Sequence, residues 1–108
     1  MKKLFYCLIV LTLLASCEKG ELIEMKYHQT YCADAWELGS SATEEEISET
    51  VTRYLKDLDI KVKEVSMNDE GQAQFCNACS CTSGNIIVVK VDELFQTDLE
   101  NLGFFKED

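Results

Sequence analysis

The residues of this chain whose types and spacing are best suited to chemistry are cysteines. Three of them stand together in Cys76-Asn77-Ala78-Cys79-Ser80-Cys81, a C-x-x-C-x-C pattern, and a fourth, Cys32, lies 44 positions before it. Four thiols support disulfide bonding, metal binding or thiol–disulfide exchange. The sequence has no phosphate-binding loop, no Ser–His–Asp set and no HExxH motif, so these cysteines are the main candidates for a functional site.

A metal site is one interpretation of the four cysteines. Four thiolates suit tetrahedral Zn²⁺, and a dense set of soft sulfur ligands also suits Cu(I). His28, the only histidine, lies four positions before Cys32 and could supply a nitrogen ligand. Cys32 stands alone, however, so the paired C-x-x-C spacing typical of zinc sites is incomplete, and the pattern does not separate zinc from copper.

Thiol–disulfide exchange at Cys76 and Cys79 is a second interpretation. Thioredoxin-like enzymes place C-x-x-C at the start of a helix, where the thiol pKa is lowered. Here the residues after Cys81 lead into a predicted strand instead. The chain also has no proline, whereas thioredoxin folds use a cis-proline beside the active site. These features count against a small oxidoreductase.

The N-terminal segment indicates where the protein is located. Lys2 and Lys3 precede an uncharged, mostly apolar run over residues 4–15, which is too short to cross about 30 Å of hydrocarbon as a helix. Residues 1–16 therefore have the pattern of a cleaved signal peptide. Leu14-Ala15-Ser16-Cys17 resembles the lipobox of bacterial lipoproteins. The resemblance implies that Cys17 is lipidated and that its acyl chains anchor the protein to a cell-envelope membrane, on the periplasmic face or the cell surface.

Export to an oxidising compartment favours disulfides, the third interpretation. Cys7 is lost with the signal peptide and Cys17 carries lipid, which leaves an even set of four thiols with three pairings. Pairing Cys79 with Cys81 would close a strained ring. The other two pairings join Cys32 to the segment and bond Cys76 to Cys79 or to Cys81. A bridge from Cys32 closes a loop of about 45–50 residues and contributes roughly 4 kcal/mol.

The charge of the chain excludes one class of partner. The chain has ten basic and 20 acidic residues and so a formal charge of −10, whereas a nucleic-acid binder needs a basic surface. Removal of residues 1–16 takes two of the ten lysines and arginines, so the remaining chain has eight basic and 20 acidic side chains, or −12. Residues 17–21 would form a short tether, and repulsion from lipid headgroups predicts that the domain stands off the bilayer.

Short elements must position the cysteines within a single domain over residues 22–108. Alternating apolar residues predict a strand over 21–31, and Thr43 with Glu46 forms a capping box for a helix. The helix presents Ile47, Val51, Leu55 and Leu58 on one face. A second strand is predicted over 60–67, with a bulge near Lys63-Glu64.

The second half of the chain completes a β-α-β-β-β-α order. Residues 72–75 are predicted to return as a hairpin partner, and the apolar run over 86–91 predicts a central strand. Asp92 is expected to cap a last helix that Gly103 ends, with Leu94, Phe95, Leu99 and Leu102 as its apolar residues. The fold class is therefore α+β: a small, mainly antiparallel sheet of three or four strands with two helices on one face.

Few other residues indicate chemistry. The strand pattern places His28 on a solvated face, and this interpretation is favoured over a role as a metal ligand or a catalytic base. Asp34 and Glu37 flank Trp36 and could form a carboxylate pair for acid–base work, although pairs of acids arise by chance in so acidic a chain. Trp36 is expected to pack over the cysteine cluster or to be an exposed contact for a partner.

Residues 31–36, 76–84 and 102–104 together resemble small uncharacterised cysteine-containing lipoproteins of Bacteroidota. This resemblance implies a compartment and a shared cysteine framework, and it implies no activity. The favoured function is a non-enzymatic, disulfide-stapled binding or accessory domain of the cell envelope, with no resident cofactor and an envelope protein as its partner. A Zn²⁺ or Cu(I) lipoprotein and a small thiol–disulfide oxidoreductase are the alternatives.

Overall fold

A computed structural model describes residues 21–107 of the chain. The elements are β1 (Leu22–Thr30), α1 (Glu44–Asp57), β2 (Val62–Asn68), β3 (Thr82–Asp92), a 3₁₀ turn (Glu93–Phe95) and α2 (Gln96–Asn101). They form a small α+β architecture, a three-stranded antiparallel sheet with two helices. The predicted signal peptide, the lipidation site Cys17 and the tether up to residue 20 lie outside the described residues.

The longest strand, β3, occupies the centre of the sheet, as its apolar sequence predicts. The strand order is β1-β3-β2, and β3 pairs antiparallel with both neighbours. Ile87, Val89 and Val91 are completely buried on one face of β3, and Ile23 and Met25 of β1 belong to the same core. The side chains of the intervening residues point to the opposite face of the sheet, where Glu24 and His28 of β1 are exposed.

Helix α1 begins as the capping box predicts. The Glu46 amide donates to the Thr43 hydroxyl at 3.2 Å, and the Thr43 amide donates to the Glu46 carboxylate at 3.1 Å. Ile47, Val51 and Leu55 are fully buried against the sheet. Leu58 was expected on the same face, but it follows the last turn and is 47% exposed.

The bulge predicted near Lys63-Glu64 is confirmed, because the pairing register between β2 and β3 shifts between Val62 and Glu64. The predicted fourth strand over 72–75 is not formed. The backbone of these residues makes one hydrogen bond to the backbone of β3, in which the Gln74 amide donates to the Thr82 carbonyl at 2.9 Å. The reciprocal Thr82 amide donates to the side-chain Oε1 of Gln74, so a side chain takes the place of the backbone acceptor and the ladder does not continue.

The C-terminal segment differs from the single helix expected after Asp92. Asp92 does cap, since its carboxylate accepts from the Leu94 amide at 3.0 Å, but it caps the 3₁₀ turn. Leu94 is 70% exposed, whereas Leu99 of α2 is fully buried. Gly103, with a φ of 99°, ends the helix as predicted. Phe105 then exchanges two backbone hydrogen bonds with Lys26 at the outer edge of β1, each 2.8 Å long.

The buried side chains form one core, which runs from Ile23 to Phe104 and takes residues from the sheet and from both helices. Residues 21–107 therefore contain a complete hydrophobic core of their own. Within this range, no helix is long and apolar enough to cross a membrane.

Candidate functional site

All four cysteines of the described domain are in disulfides. Cys32 bonds Cys79 across a sequence separation of 47, and Cys76 bonds Cys81 across a separation of five. The Cα atoms are 4.6 Å apart in the first pair and 6.4 Å apart in the second, as disulfide geometry requires. Of the two pairings that the sequence leaves open, this is the one in which Cys76 bonds Cys81. The Cys76–Cys79 pair expected of an exchange enzyme is not formed.

The Cys32–Cys79 disulfide fastens the loop that follows β1 to the loop that precedes β3, and the Cys76–Cys81 disulfide closes a short ring within the second loop. Backbone hydrogen bonds follow the same path: the Tyr31 amide donates to the Cys81 carbonyl at 3.0 Å, and the Cys32 amide donates to the Cys79 carbonyl at 3.2 Å. The Tyr31 hydroxyl donates to the Gln74 carbonyl at 3.1 Å. We call residues 74–81 the stapled segment. It is held at both ends and across its middle, although seven of its eight residues are exposed.

The stapled segment presents one large apolar side chain to solvent. Phe75 is 100% exposed, more than any other large hydrophobic residue in the described chain. Sequence reasoning placed Phe75 in a hairpin strand and did not identify it as a surface residue. The only signal in the sequence was its position directly before the cysteine cluster that begins at Cys76.

Trp36 does not have the exposure expected of a partner contact. Its side chain is only 7% exposed and belongs to the hydrophobic core. The indole ring packs against Tyr27 at a centroid distance of 4.8 Å, against Tyr54 at 5.9 Å and against Phe104 at 6.2 Å. Trp36 therefore joins β1, α1 and the C-terminal segment, and the fully exposed aromatic residue within 21–107 is Phe75.

Asp34 and Glu37 do not form a catalytic carboxylate pair. Asp34 is 4% exposed, whereas Glu37 is exposed. Asp34 Oδ1 accepts from the Thr30 amide at 3.0 Å and from the Thr30 hydroxyl at 2.7 Å, which holds the turn after β1. Burial raises the pKa of the Asp34 carboxyl above its ordinary value, and the hydrogen bonds from Thr30 act in the opposite direction. Burial and the nearby charge of Asp34 also raise the pKa of Tyr27.

His28 lies on an exposed strand face, as the strand pattern predicts. Its imidazole stacks on the Phe105 ring with centroids 4.9 Å apart. It also lines a shallow depression of about 420 Å³ with Glu70, Gln72 and Gln74. Among residues 21–107, no group of three or more His, Cys, Asp and Glu side chains has the arrangement of a metal site.

Comparisons with protein-family models, with curated proteins and with solved structures give no match for this chain.

Proposed function

We propose that this chain is a lipid-anchored protein of the bacterial cell envelope whose disulfide-stapled domain binds a partner protein and catalyses no reaction. Two features support the compartment. The pattern over residues 1–17 is that of a lipoprotein leader with Cys17 as the lipid acceptor. Two disulfides in a domain of this size also suit an oxidising compartment outside the cytosol.

The exposure of Phe75 on a doubly stapled segment is the observation that carries the binding role. A fully exposed aromatic side chain gains binding free energy when it enters an apolar pocket of a partner, and aromatic anchors dominate many interfaces. A segment already held by two disulfides loses less conformational entropy on binding than a free loop.

The position of the stapled segment fits this role. β1 begins directly after the proposed tether and ends two residues before Cys32. Its eight steps of roughly 3.3 Å separate the stapled segment from the tether by about 26 Å. The partner is expected to surround its apolar pocket with basic side chains, because the chain after residue 16 has eight basic and 20 acidic residues.

The anchor is tested by the substitution Cys17→Ser in the full chain, expressed in an exporting bacterium. We expect the signal peptide to remain attached and the protein to lose the mass of its acyl chains, because the thiol that accepts lipid is gone. Cys7→Ser is the matched control, since Cys7 lies in the leader but outside the lipobox. Unchanged cleavage and unchanged lipid mass in Cys17→Ser would refute the anchor.

The binding role is tested by site-specific photo-crosslinking in cells, with a photoreactive phenylalanine analogue at position 75. Glu49, which is exposed on α1, is the control position. We expect a discrete crosslinked protein from position 75 only, and its yield should fall at high salt because acidic and basic surfaces meet. Equal crosslinking from positions 49 and 75 would contradict a specific role for the stapled segment.

The thiol state separates this proposal from metal binding. Protein purified without reductant, unfolded and alkylated should gain no mass at Cys32, Cys76, Cys79 or Cys81, and zinc and copper analysis of the same sample should find neither metal in stoichiometric amount. Four alkylated thiols together with stoichiometric metal would refute the stapled domain and make the cysteines a Zn²⁺ or Cu(I) site.

A further inference from the structure

The end of the sheet opposite the stapled segment carries a basic surface depression. It has a volume of about 610 Å³, and its lining includes Lys56, Lys61 and Lys63. Lys56 lies in the last turn of α1, while Lys61 and Lys63 flank the first residue of β2, so the end of a helix and the start of a strand bring the three lysines to the lining of one depression. Ile60, only 3% exposed, provides apolar lining.

The three lysines are unusual in this acidic chain. Only eight basic residues follow residue 16, and three of them line this one depression. In the part of the chain that the structure describes, the ion pairs are Lys26 with Glu107 and Lys90 with Glu64. The lysines of the depression thus have no carboxylate partner there. Asp59 is the one acidic residue in the lining, so the lysines there outnumber the carboxylates by three to one.

The pairing register places this depression at the end of the sheet where β1 begins. Val62 pairs with Val91, and Val91 pairs with Ile23, the second residue of β1. The chain therefore enters the domain from the tether at the same end of the sheet at which the depression lies.

Exposed leucines gather at this end as well. Four large hydrophobic residues are exposed in the described chain, and three of them lie at this end. Leu22 is the first residue of β1, Leu58 directly follows α1, and Leu94 lies in the 3₁₀ turn after β3. The fourth, Phe75, lies at the other end. Lysines and exposed leucines at the same end of a domain suit the boundary between lipid headgroups and acyl chains.

We propose that Lys56, Lys61 and Lys63 bind the phosphate of an anionic phospholipid headgroup in the anchoring membrane, while Leu22, Leu58 and Leu94 contact the acyl boundary. The orientation rests on the proposed anchor at Cys17, and the lipid chemistry rests on the depression itself. The net charge alone predicts that the domain stands off the bilayer. Screening limits that repulsion to about 8–10 Å, so the charges nearest the bilayer decide the contact. Four acidic residues at this end of the sheet weaken it, namely Glu21, Asp57, Asp92 and Glu93.

Lysine acetylation on vesicles tests the proposal. Residues 21–108 contain the complete core and both disulfides, and an N-terminal hexahistidine tag can hold them on vesicles that contain a nickel-chelating lipid. The tag places residue 21 at the bilayer whether or not Cys17 is lipidated, so failure of this test is distinct from failure of the anchor. The rate of acetylation at each lysine is read by peptide mass spectrometry, with exposed Lys106 as the internal control.

We expect phosphatidylglycerol in phosphatidylcholine vesicles to slow acetylation of Lys56, Lys61 and Lys63 about fivefold relative to phosphatidylcholine alone. This factor corresponds to roughly 1 kcal/mol for each lysine near an anionic surface. Lys106 should react at the same rate on both vesicles. Equal rates for all lysines on the two vesicles, or equal slowing that includes Lys106, would overturn the proposal. Equal protection by inorganic phosphate without vesicles would overturn the assignment to lipid.

Discussion

Removal of the Cys32–Cys79 disulfide should destabilise the domain about twice as much as removal of Cys76–Cys81. Loop closure in the unfolded chain sets the magnitude. A sequence separation of 47 corresponds to about 4 kcal/mol at 25 °C, and a separation of five corresponds to about 2 kcal/mol. A domain of this length has a total stability of roughly 5–14 kcal/mol, so the longer bridge supplies a large share of it.

The assay compares two double variants, Cys32→Ala with Cys79→Ala and Cys76→Ala with Cys81→Ala. Each removes both partners and leaves no unpaired thiol. Cys32, Cys76 and Cys79 are exposed and Cys81 is 9% exposed, so little packing is lost in the first variant and slightly more in the second. Urea unfolding without reductant gives both free energies of unfolding, and the Cys32/Cys79 variant should also melt roughly 16–32 °C below the parent.

The result that would refute this reasoning is an equal loss in both variants, or a larger loss in the Cys76/Cys81 variant. Peptide mapping of the single variant Cys32→Ala then identifies the cause. Alkylation at Cys79 would mean that the pairing is as described and the loop-closure account is wrong. Alkylation at Cys81 would mean that the chain adopts the other pairing, with Cys76 bonded to Cys79.

Three further predictions concern single side chains. Trp36→Ala should cost about 3–5 kcal/mol in urea unfolding because the indole is buried, whereas Phe75→Ala should change stability by less than about 0.5 kcal/mol; similar losses would contradict the exposure of Phe75. Thr43→Ala should cost about 0.5–2 kcal/mol and Thr43→Ser much less, because only the hydroxyl accepts from the Glu46 amide. Since burial raises the folded-state pKa of Asp34 above its unfolded value, the contribution of this group to stability is full below about pH 3.8 and is lost as pH rises through the folded pKa. Asp34→Asn should remove this pH-dependent loss of stability, so the urea midpoint should rise most at neutral pH. An equal change of the urea midpoint at every pH would count against the burial of a charged Asp34.

Elements governed by neighbouring residues could be predicted well. The capping box, the four-residue spacing of Ile47, Val51 and Leu55, and the bulge beside Lys63 are all confirmed, because each depends on contacts within one or two turns or on strand parity. The predicted fourth strand was wrong for a nonlocal reason. Gln74 has an ordinary strand position, but its side chain meets the Thr82 amide across the loop.

The aromatic residues illustrate the same limit. Trp36 lies four positions after Cys32, and its sequence neighbours leave packing and exposure both open. It is buried because Tyr27, Tyr54 and Phe104, which span 77 positions of the chain, meet around it. Phenylalanine is a residue type expected in a hydrophobic core, yet no element of the described chain covers Phe75.

The sequence by itself determined the α+β class, the helix start at Thr43, the central place of β3 and the even set of four cysteines in the domain. The sulfur pairing, the burial of Trp36 and the exposure of Phe75 were decided only by the tertiary structure. A disulfide forms where two Cα atoms come within bonding reach, and the packing of β1 beside β3 sets the 4.6 Å between Cys32 and Cys79. Spacing along the chain restricts such pairs, and only the folded backbone selects among them.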